Sequence, residues 1–367
     1  MGSSTKKQTG NRQTAWGQAL QLGKFVRPDG NGFWDFLSSS GIPFERRHFP
    51  FLTRTPVPSI KRIFSVPEYF DLTSKGEALA YLYNGFGKSL NYVGPVLDHE
   101  LEFGFNDHTD RHTLWVSQTG VELLQRAGVS YDGLSGYDPT TEVLMTLVGM
   151  THDLGNFLSR KEHSTYSAWL LTHMFKHREQ QRAEFQAGLW AILFHEEPVL
   201  RDLGLDLSGG TPLQWALVLA DKMHVGRDRI GGRSFEHAHH GALEKDKHIL
   251  LNALIVRSTW YLGVDTFVWH MDFSVDQLED KFKVFTKGSS RLWVPRPFQR
   301  LFLNEGKRYR DSFAQMFREI YADRMEMAAQ AAFLLFSHLK EFGVVLSDND
   351  TRGKVGSAMQ VVWGRKR

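Results

Sequence analysis

The stretch MTHDLGNFLSRKEH at residues 150–163 places several ionisable side chains in a helix-forming, partly apolar segment. His152 and Asp153 are adjacent, Gly155 follows two positions later, and His163 lies eleven residues after His152. Imidazole nitrogens and carboxylate oxygens are ligands for zinc, iron, manganese and nickel. These residues are therefore candidates for a metal site, provided that residues distant in the sequence point to the same place.

Other predicted helices repeat this arrangement. Positions three or four apart share a helix face, so Leu144, Val148 and His152 lie on the apolar face of the helix that follows Pro139. By the same spacing, the apolar faces of four neighbouring helices carry His112, His163, His195 and Asp221. One such histidine alone is more often a hydrogen-bonded core residue. Burying all of these groups, with Asp153, is costly unless a divalent metal satisfies them together.

Composition limits the class of protein. The chain has 367 residues, of which 41% are hydrophobic and 23% charged, which is typical of a globular protein with a real core. There is no cysteine, which excludes a disulfide scaffold, thiolate catalysis and cysteine-ligated zinc. The net charge of +3 is too small to indicate nucleic-acid binding. The absence of a secretory signal and of a long apolar run favours a cytoplasmic protein that does not cross a membrane.

The pattern along the chain predicts a mainly α fold: a helical bundle with a C-terminal β-hairpin and helix extension. Residues 1–70 are irregular, 71–240 are helical, 241–348 hold a hairpin and helices, and 349–367 form a basic tail. Asp138-Pro139 and Thr211-Pro212 are helix-start signals. The hairpin is predicted at 249–274 around a Gly-Val-Asp turn, with its aromatic face in the core and an edge available for a homo-oligomer.

The ordered motifs resemble those of the HD-domain superfamily of metal-dependent phosphohydrolases. They read DHTDRH at 107–112, THDLGN at 151–156, KEHSTYSA at 161–168, FHEE at 194–197 and LADKMHVGRDR at 219–229, and they are most similar to those of small bacterial HD proteins with an HDxGN motif. The resemblance covers about residues 100–275 and implies an HD-domain helical bundle of about five core helices with metals between them. Asn156 stands where many relatives have a lysine.

The resemblance also implies roles for single residues. Because His163 and His195 are present in addition to the core ligands, it implies two divalent ions (Fe, Mn, Zn or Ni) with Asp153 bridging them and a metal-bound hydroxide as the nucleophile. One ion would be held by His112, His152, Asp153 and Asp221, and the other by Asp153, His163 and His195. Asp153 and His108 are the catalytic candidates, and the substrate-binding candidates are Lys222, Arg227 and Asn156.

Several of these residues also have a purely structural interpretation. His108 is a general acid, a phosphate contact, a further ligand or an exposed loop residue. Glu196 either orients a ligand from outside the metal shell or is an exposed glutamate. Lys222 and Arg227 either neutralise a phosphate or form a solvated helix end. The HAHH run at 237–240 is more typical of the surface than of a chelating site.

Three functions fit the sequence. The first is hydrolysis of a small phosphorylated substrate, a phosphomonoester or phosphodiester such as a nucleotide. The second is a mixed-valence di-iron oxygenase, because some HD proteins with the same ligands use dioxygen. The third is a non-catalytic module that binds a nucleotide or a partner, with the hairpin as a dimer interface. The ligand set does not separate the first two, but the positive residues after Asp221 favour the hydrolase.

Overall fold

The computed structural model describes residues 75–80, 82, 110–157, 162–175, 182–202, 204–229, 247–274, 308–348 and 356–365. The predicted irregular extension at 1–70, the candidate His108 and the HAHH run at 237–240 lie outside the described residues.

The described residues form a mainly α protein with a small sheet, as the periodicity predicts. The helices are α1 (Lys75–Ala80), α2 (Asp110–Ala127), α3 (Pro139–Thr151), α4 (His163–Met174), α5 (Ala183–Leu193), α6 (Glu197–Asp202), α7 (Pro212–Met223), α8 (Lys247–Leu254) and α9 (Arg308–Leu335). Short 3-10 turns occupy Leu154–Phe157, Leu207–Gly209 and Arg227–Arg229. None of the helices in the described segments has the length and apolar character needed to cross a membrane.

Two helix starts confirm the signals in the sequence. The carboxylate of Asp138 accepts a hydrogen bond from the backbone N–H of Thr141 at 2.7 Å, and Pro139 begins α3. The hydroxyl of Thr211 accepts from the backbone N–H of Gln214 at 3.2 Å, and Pro212 begins α7. These caps fix where α3 and α7 begin, so the spacing to His152 and Asp221 at their far ends is fixed as well.

Helices α3 and α5 form the centre of the bundle. Every residue of α3 from Val143 to Thr151 is buried, and so is every residue of α5 from Phe185 to Leu193. Helix α3 packs on α2, α5 and α7, and α5 packs on α4 and α7 as well. Helix α2 lies close to α3 at Gly149, where a Cβ would lie 2.7 Å from the Cα of Ser117. Glycine at this position therefore allows the two backbones to touch.

A four-stranded mixed sheet, in the order β1-β2-β3-β4, packs beside the bundle. Its strands are β1 (Ile255–Leu262), β2 (Thr266–Phe273), β3 (Glu341–Asp348) and β4 (Gly356–Gly364). The hairpin of β1 and β2 confirms the prediction, with Gly263 donating its N–H to the carbonyl of Thr266 at 2.8 Å. Its aromatic face is core, because Phe267, Trp269, Met271 and Phe273 are all fully buried. Strand β1 is one edge of this sheet, and self-association there remains a prediction.

The C-terminal segment differs from the sequence-based expectation in two respects. Residues 249–254 belong to α8, so the hairpin begins at Ile255, where a register shift follows in the pairing with β2. The expected tail at 349–367 contains β4, which pairs with β3 antiparallel. Helix α9 packs along α7 and against the sheet, and its Phe317 and Tyr321 join the same core as the bundle. The C-terminal segment therefore shares the core of the helices that carry the candidate ligands.

Candidate metal centre

The helices bring the candidate ligands together because each lies at or near a helix end. His112 lies in the first turn of α2, and His163 is the first residue of α4. His152 caps the C-terminus of α3, while His195 follows the C-terminal cap of α5 and Asp221 lies in the last turn of α7. The N-termini of α2 and α4 thus meet the C-termini of α3, α5 and α7 at one end of the bundle. His112, His152 and His195 are fully buried there.

Gly155 explains the tight turn after the His-Asp pair. An added Cβ at Gly155 would lie 1.9 Å from the carbonyl oxygen of His163, closer than any side chain permits. The N–H of Gly155 also donates to the hydroxyl of Ser167 at 2.7 Å. The 3-10 turn after Asp153 therefore packs directly on the first turns of α4, which places His163 beside Asp153.

The first group of ligand atoms consists of His112, His152 and Asp153. Oδ2 of Asp153 lies 3.1 Å from Nε2 of His112 and 3.3 Å from Nε2 of His152. Oδ1 of Asp221 approaches from α7, at 3.4 Å from Nε2 of His112 and 4.0 Å from Nε2 of His152. Two nitrogens and two carboxylate oxygens thus face one point.

The second group consists of Asp153, His163 and His195. Oδ1 of Asp153, the oxygen not used by the first group, lies 3.4 Å from Nε2 of His163. Nε2 of His163 lies 3.2 Å from Nε2 of His195. The two oxygens of Asp153 therefore face different histidine pairs.

The separations fit a metal site. Two atoms that each lie about 2.1 Å from one ion are about 3.0 Å apart at a right angle and about 3.4 Å apart at the tetrahedral angle. The contacts of Asp153 with the three histidines, from 3.1 to 3.4 Å, span this interval. These buried side chains can therefore hold a metal ion without large rearrangement.

Two of the histidines direct the Nε2 atom toward the ligand cluster. Nδ1 of His152 lies 2.8 Å from the carbonyl oxygen of Gly149, and Nδ1 of His195 lies 2.6 Å from that of Ile192. A carbonyl only accepts, so Nδ1 carries the proton in both rings and Nε2 faces the ligand cluster. Nε2 of His152 is buried and has no hydrogen-bond partner in the described part of the chain. A polar atom of this kind is costly to bury unless a cation binds it.

The electrostatics of the two histidines differ. Burial lowers the pKa of His195 to about 4, against the opposing effect of Glu196, so this ring is neutral and ready to bind a cation. Burial would also lower the pKa of His152, but Asp153, Asp221 and the carbonyl of Gly149 together outweigh burial and raise it. A cation that binds His152 therefore displaces a proton.

Lys222 lies between two carboxylates at the edge of the cluster. Its Nζ is 2.7 Å from Oδ2 of Asp221 and 2.8 Å from Oε1 of Glu196. Burial would lower the pKa of Lys222, but Asp221 and Glu196 outweigh burial and raise it. The same pairing offsets the burial of Glu196 and lowers its pKa to about 2. Lys222 is therefore an ammonium that forms part of the cluster, not a solvated helix end.

Glu196 and the remaining candidates occupy different places. Oε1 of Glu196 lies 3.7 Å from Nε2 of His195, and Glu196 groups with His195 and Asp221 as a third set of close ligand atoms. Asn156 is buried in the 3-10 turn after Asp153, and neither polar atom of its side chain has a hydrogen-bond partner among the described residues. Arg227 is half-buried at the start of the turn Arg227–Arg229.

Two residues that the sequence analysis did not single out also contact this centre. His224 approaches His112, with 2.6 Å between the two Nδ1 atoms. Arg324 of α9 donates to the carbonyl oxygens of Lys222 and Asp221, each at 2.6 Å. These carbonyls end α7, where a cation is favourable. His224 lies three residues after Asp221, and helical spacing therefore places the two residues on the same side of α7. No local pattern distinguishes Arg324 on its long helix.

Comparison of the chain with protein-family models, with curated proteins and with solved structures finds no match.

Proposed function

We propose that this protein is a metal-dependent phosphohydrolase of the HD-domain class, with a dinuclear centre at this end of the bundle. The observation that carries the proposal is the orientation of Asp153. Its Oδ2 lies within 3.3 Å of Nε2 of both His112 and His152, while its Oδ1 lies 3.4 Å from Nε2 of His163. A carboxylate buried between two histidine pairs is suited to hold two cations at once.

The contacts support an assignment of ligands to each ion. His112, His152, Asp153 and Asp221 would hold the first ion, and Asp153, His163 and His195 the second. The backbone carbonyls of Gly149 and Ile192 orient two of these rings, so the chain holds their nitrogens in place before any ion binds. Two bound divalent ions would supply Lewis acidity toward phosphoryl oxygens and would lower the pKa of a water molecule.

The charge and exposure of the site support a small phosphorylated substrate, such as a nucleotide. The side chains of His163 and Glu196 are 14% and 27% exposed, whereas Asp153 is 5% exposed, so the side formed by His163 and Glu196 is the more accessible one. The ammonium of Lys222 lies at this side through its contact with Glu196, and it would add to the attraction of bound cations for a phosphate. In this proposal, Arg227 and the amide of Asn156 provide further contacts to the substrate.

Metal content and anaerobic turnover together test the proposal. Protein purified without added metal is analysed for elements, then loaded with Mn²⁺ and assayed without dioxygen for phosphate release from nucleotides, phosphomonoesters and phosphodiesters. We expect turnover under these conditions, because hydrolysis requires Lewis acidity but no redox change. Dioxygen uptake by the iron form, with no turnover by the manganese form, would favour the oxygenase instead. Nucleotide binding without metal or turnover would favour the non-catalytic module.

A pair of histidine variants provides the matched control. His163→Ala removes a ligand from the accessible side and is expected to abolish turnover. His338→Ala removes an exposed histidine whose ring contact is with Phe336, 6.1 Å away, and is expected to leave turnover unchanged. Equal loss in both variants would indicate a general effect of histidine removal and would count against the assigned centre.

A further inference from the structure

His224 lies outside the set of ligands and yet touches one of them. It caps the C-terminus of α7, is 1% exposed, and faces His112 on one side and Asp228 on the other. We infer that His224 and Asp228 are positioning residues, which form a side-chain relay that fixes the tautomer and orientation of His112. This inference rests on the proposed metal centre and deepens it.

The geometry identifies a hydrogen bond between the two imidazoles. The rings of His112 and His224 are nearly parallel, at 8°, with centroids 4.9 Å apart and Nδ1 atoms 2.6 Å apart. Rings stacked face to face cannot bring atoms closer than a van der Waals contact of about 3.5 Å. The rings therefore lie nearly in one plane and meet edge to edge. One nitrogen must donate and the other must accept.

The contact with Asp228 sets the direction of this bond. Nε2 of His224 lies 2.9 Å from Oδ2 of Asp228. An ionised carboxylate can only accept, so Nε2 of His224 carries the proton and donates. The neutral His224 ring then has a lone pair on Nδ1, which accepts from Nδ1–H of His112. The proton of His112 is held on Nδ1, and Nε2 is left for a metal, 3.1 Å from Asp153 and 3.4 Å from Asp221.

The surroundings hold His224 in this orientation. The ring of Trp115 stacks on His224, with centroids 4.5 Å apart and 15° between the planes. The carbonyl of His224 accepts from Arg229 at 3.2 Å. Gly226 has a φ of +143°, and a Cβ there would lie 2.9 Å from Oδ1 of Asp228. Glycine therefore allows the turn that folds Asp228 back onto His224.

His112 differs from the other oriented ligands in a way that can be tested. His152 and His195 are oriented by backbone carbonyls, which no side-chain substitution removes. His112 depends on a side chain instead. Without an acceptor at position 224, His112 can place its proton on Nε2, and that tautomer cannot bind a metal. Loss of such an outer partner typically lowers metal affinity by about 10- to 100-fold.

Two substitutions at position 224 separate the relay from simple packing. His224→Phe keeps an aromatic ring against Trp115 but removes the acceptor, so we expect the affinity for one of two Mn²⁺ ions to fall by about 10- to 100-fold. His224→Asn places an amide oxygen near the position of Nδ1, and we expect it to restore most of the affinity. His270→Phe is the control, because His270 lies on β2 and contacts Ser347 at 2.7 Å. Titration with Mn²⁺ and elemental analysis give affinity and stoichiometry.

A second readout does not involve metal. The ¹⁵N spectrum of histidine-labelled, metal-free protein distinguishes the two tautomers. We expect His112 to carry its proton on Nδ1 in the wild type and to lose that preference in His224→Phe. If His224→Phe does not fold, Asp228→Ala serves instead, because the side chain of Asp228 is 54% exposed and its loss leaves the core intact.

The outcomes distinguish the relay from the centre itself. A wild type that binds no metal overturns the proposed centre and the relay with it. A wild type that binds two ions, with a folded His224→Phe protein that binds both equally well, overturns the relay alone. Equal weakening by the Phe and Asn variants also overturns it, because packing, and not the acceptor, would then be the cause.

Discussion

Substitution of Gly155 by alanine tests whether the close approach of the 3-10 turn to α4 positions the second histidine pair. An ideal Cβ at position 155 would lie 1.9 Å from the carbonyl oxygen of His163, 2.7 Å from its carbonyl carbon and 2.7 Å from the backbone nitrogen of Ser167. All three atoms are backbone atoms of α4, so no flexible side chain can move away. Either the turn or the start of α4 must shift.

The size of the shift follows from these distances. An ordinary contact of 3.4 Å requires the turn and the carbonyl of His163 to separate by about 1.5 Å. Overpacking of this kind costs about 1–3 kcal/mol of unfolding free energy. A binding site tolerates displacement of only about 0.5 Å. We therefore expect Gly155→Ala to be less stable by about 1–3 kcal/mol and to bind less metal than the wild type, because His163 would be displaced from the cluster.

Denaturant unfolding and elemental analysis measure the two effects. Gly76→Ala is the matched control, because Gly76 lies in α1 with no atom within 4 Å of an added Cβ. Alanine in that helix should leave stability unchanged or raise it by up to about 1 kcal/mol. A Gly155→Ala protein with the wild-type unfolding midpoint and full metal content would refute the argument that this contact places His163.

Three further results are expected. Asp153→Asn should reduce the metal content to under about half an ion per chain, because both carboxylate oxygens of Asp153 face histidine nitrogens. Substitution of the exposed Asp323 by asparagine should leave the metal content unchanged, and elemental analysis compares the two variants. Removal of metal by a chelator should lower the unfolding free energy by about 2.7 kcal/mol for each site that was occupied at a free metal concentration of 100 times Kd, and an unchanged thermal midpoint would contradict this. Metal affinity should fall as the pH is lowered, beginning above the ordinary histidine pKa of 6.5, because the raised pKa of His152 lets a proton compete with the metal. Competitive titration across this range should show it.

Local sequence patterns predict the helical framework and identify the residues that cluster. Helical periodicity places His152 in line with Leu144 and Val148, and all three are buried, as is the rest of α3 from Val143 to Thr151. The caps at Asp138 and Thr211 are local hydrogen bonds, so their positions could be read from a few neighbouring residues. The alternation in β2 likewise predicted its buried aromatic side chains, which the structure confirms.

The pairing of the C-terminal strands depends on tertiary packing. Strand β2 pairs with β3 in parallel, Phe267 opposite Phe342, although α9 separates the two strands in sequence. Strand β4 pairs with the edge of β3, although the sequence predicts a basic tail for this segment. Pairing between strands so far apart depends on the packed core, and a local pattern carries little information about it.

The arrangement within the candidate centre also depends on tertiary packing. The sequence predicts His112 and Asp221 as candidate ligands. Only the packing of α2 against α7 brings His224 to Nδ1 of His112. It is likewise the packing of α9 on α7 that places Arg324 on the last carbonyls of the helix that carries Asp221. Residue types and helix periodicity show which side chains share a face. The direction of a hydrogen bond and the position of Asp153 between two histidine pairs depend on distances of about 3 Å between separate elements. Only the packing of those elements sets such distances.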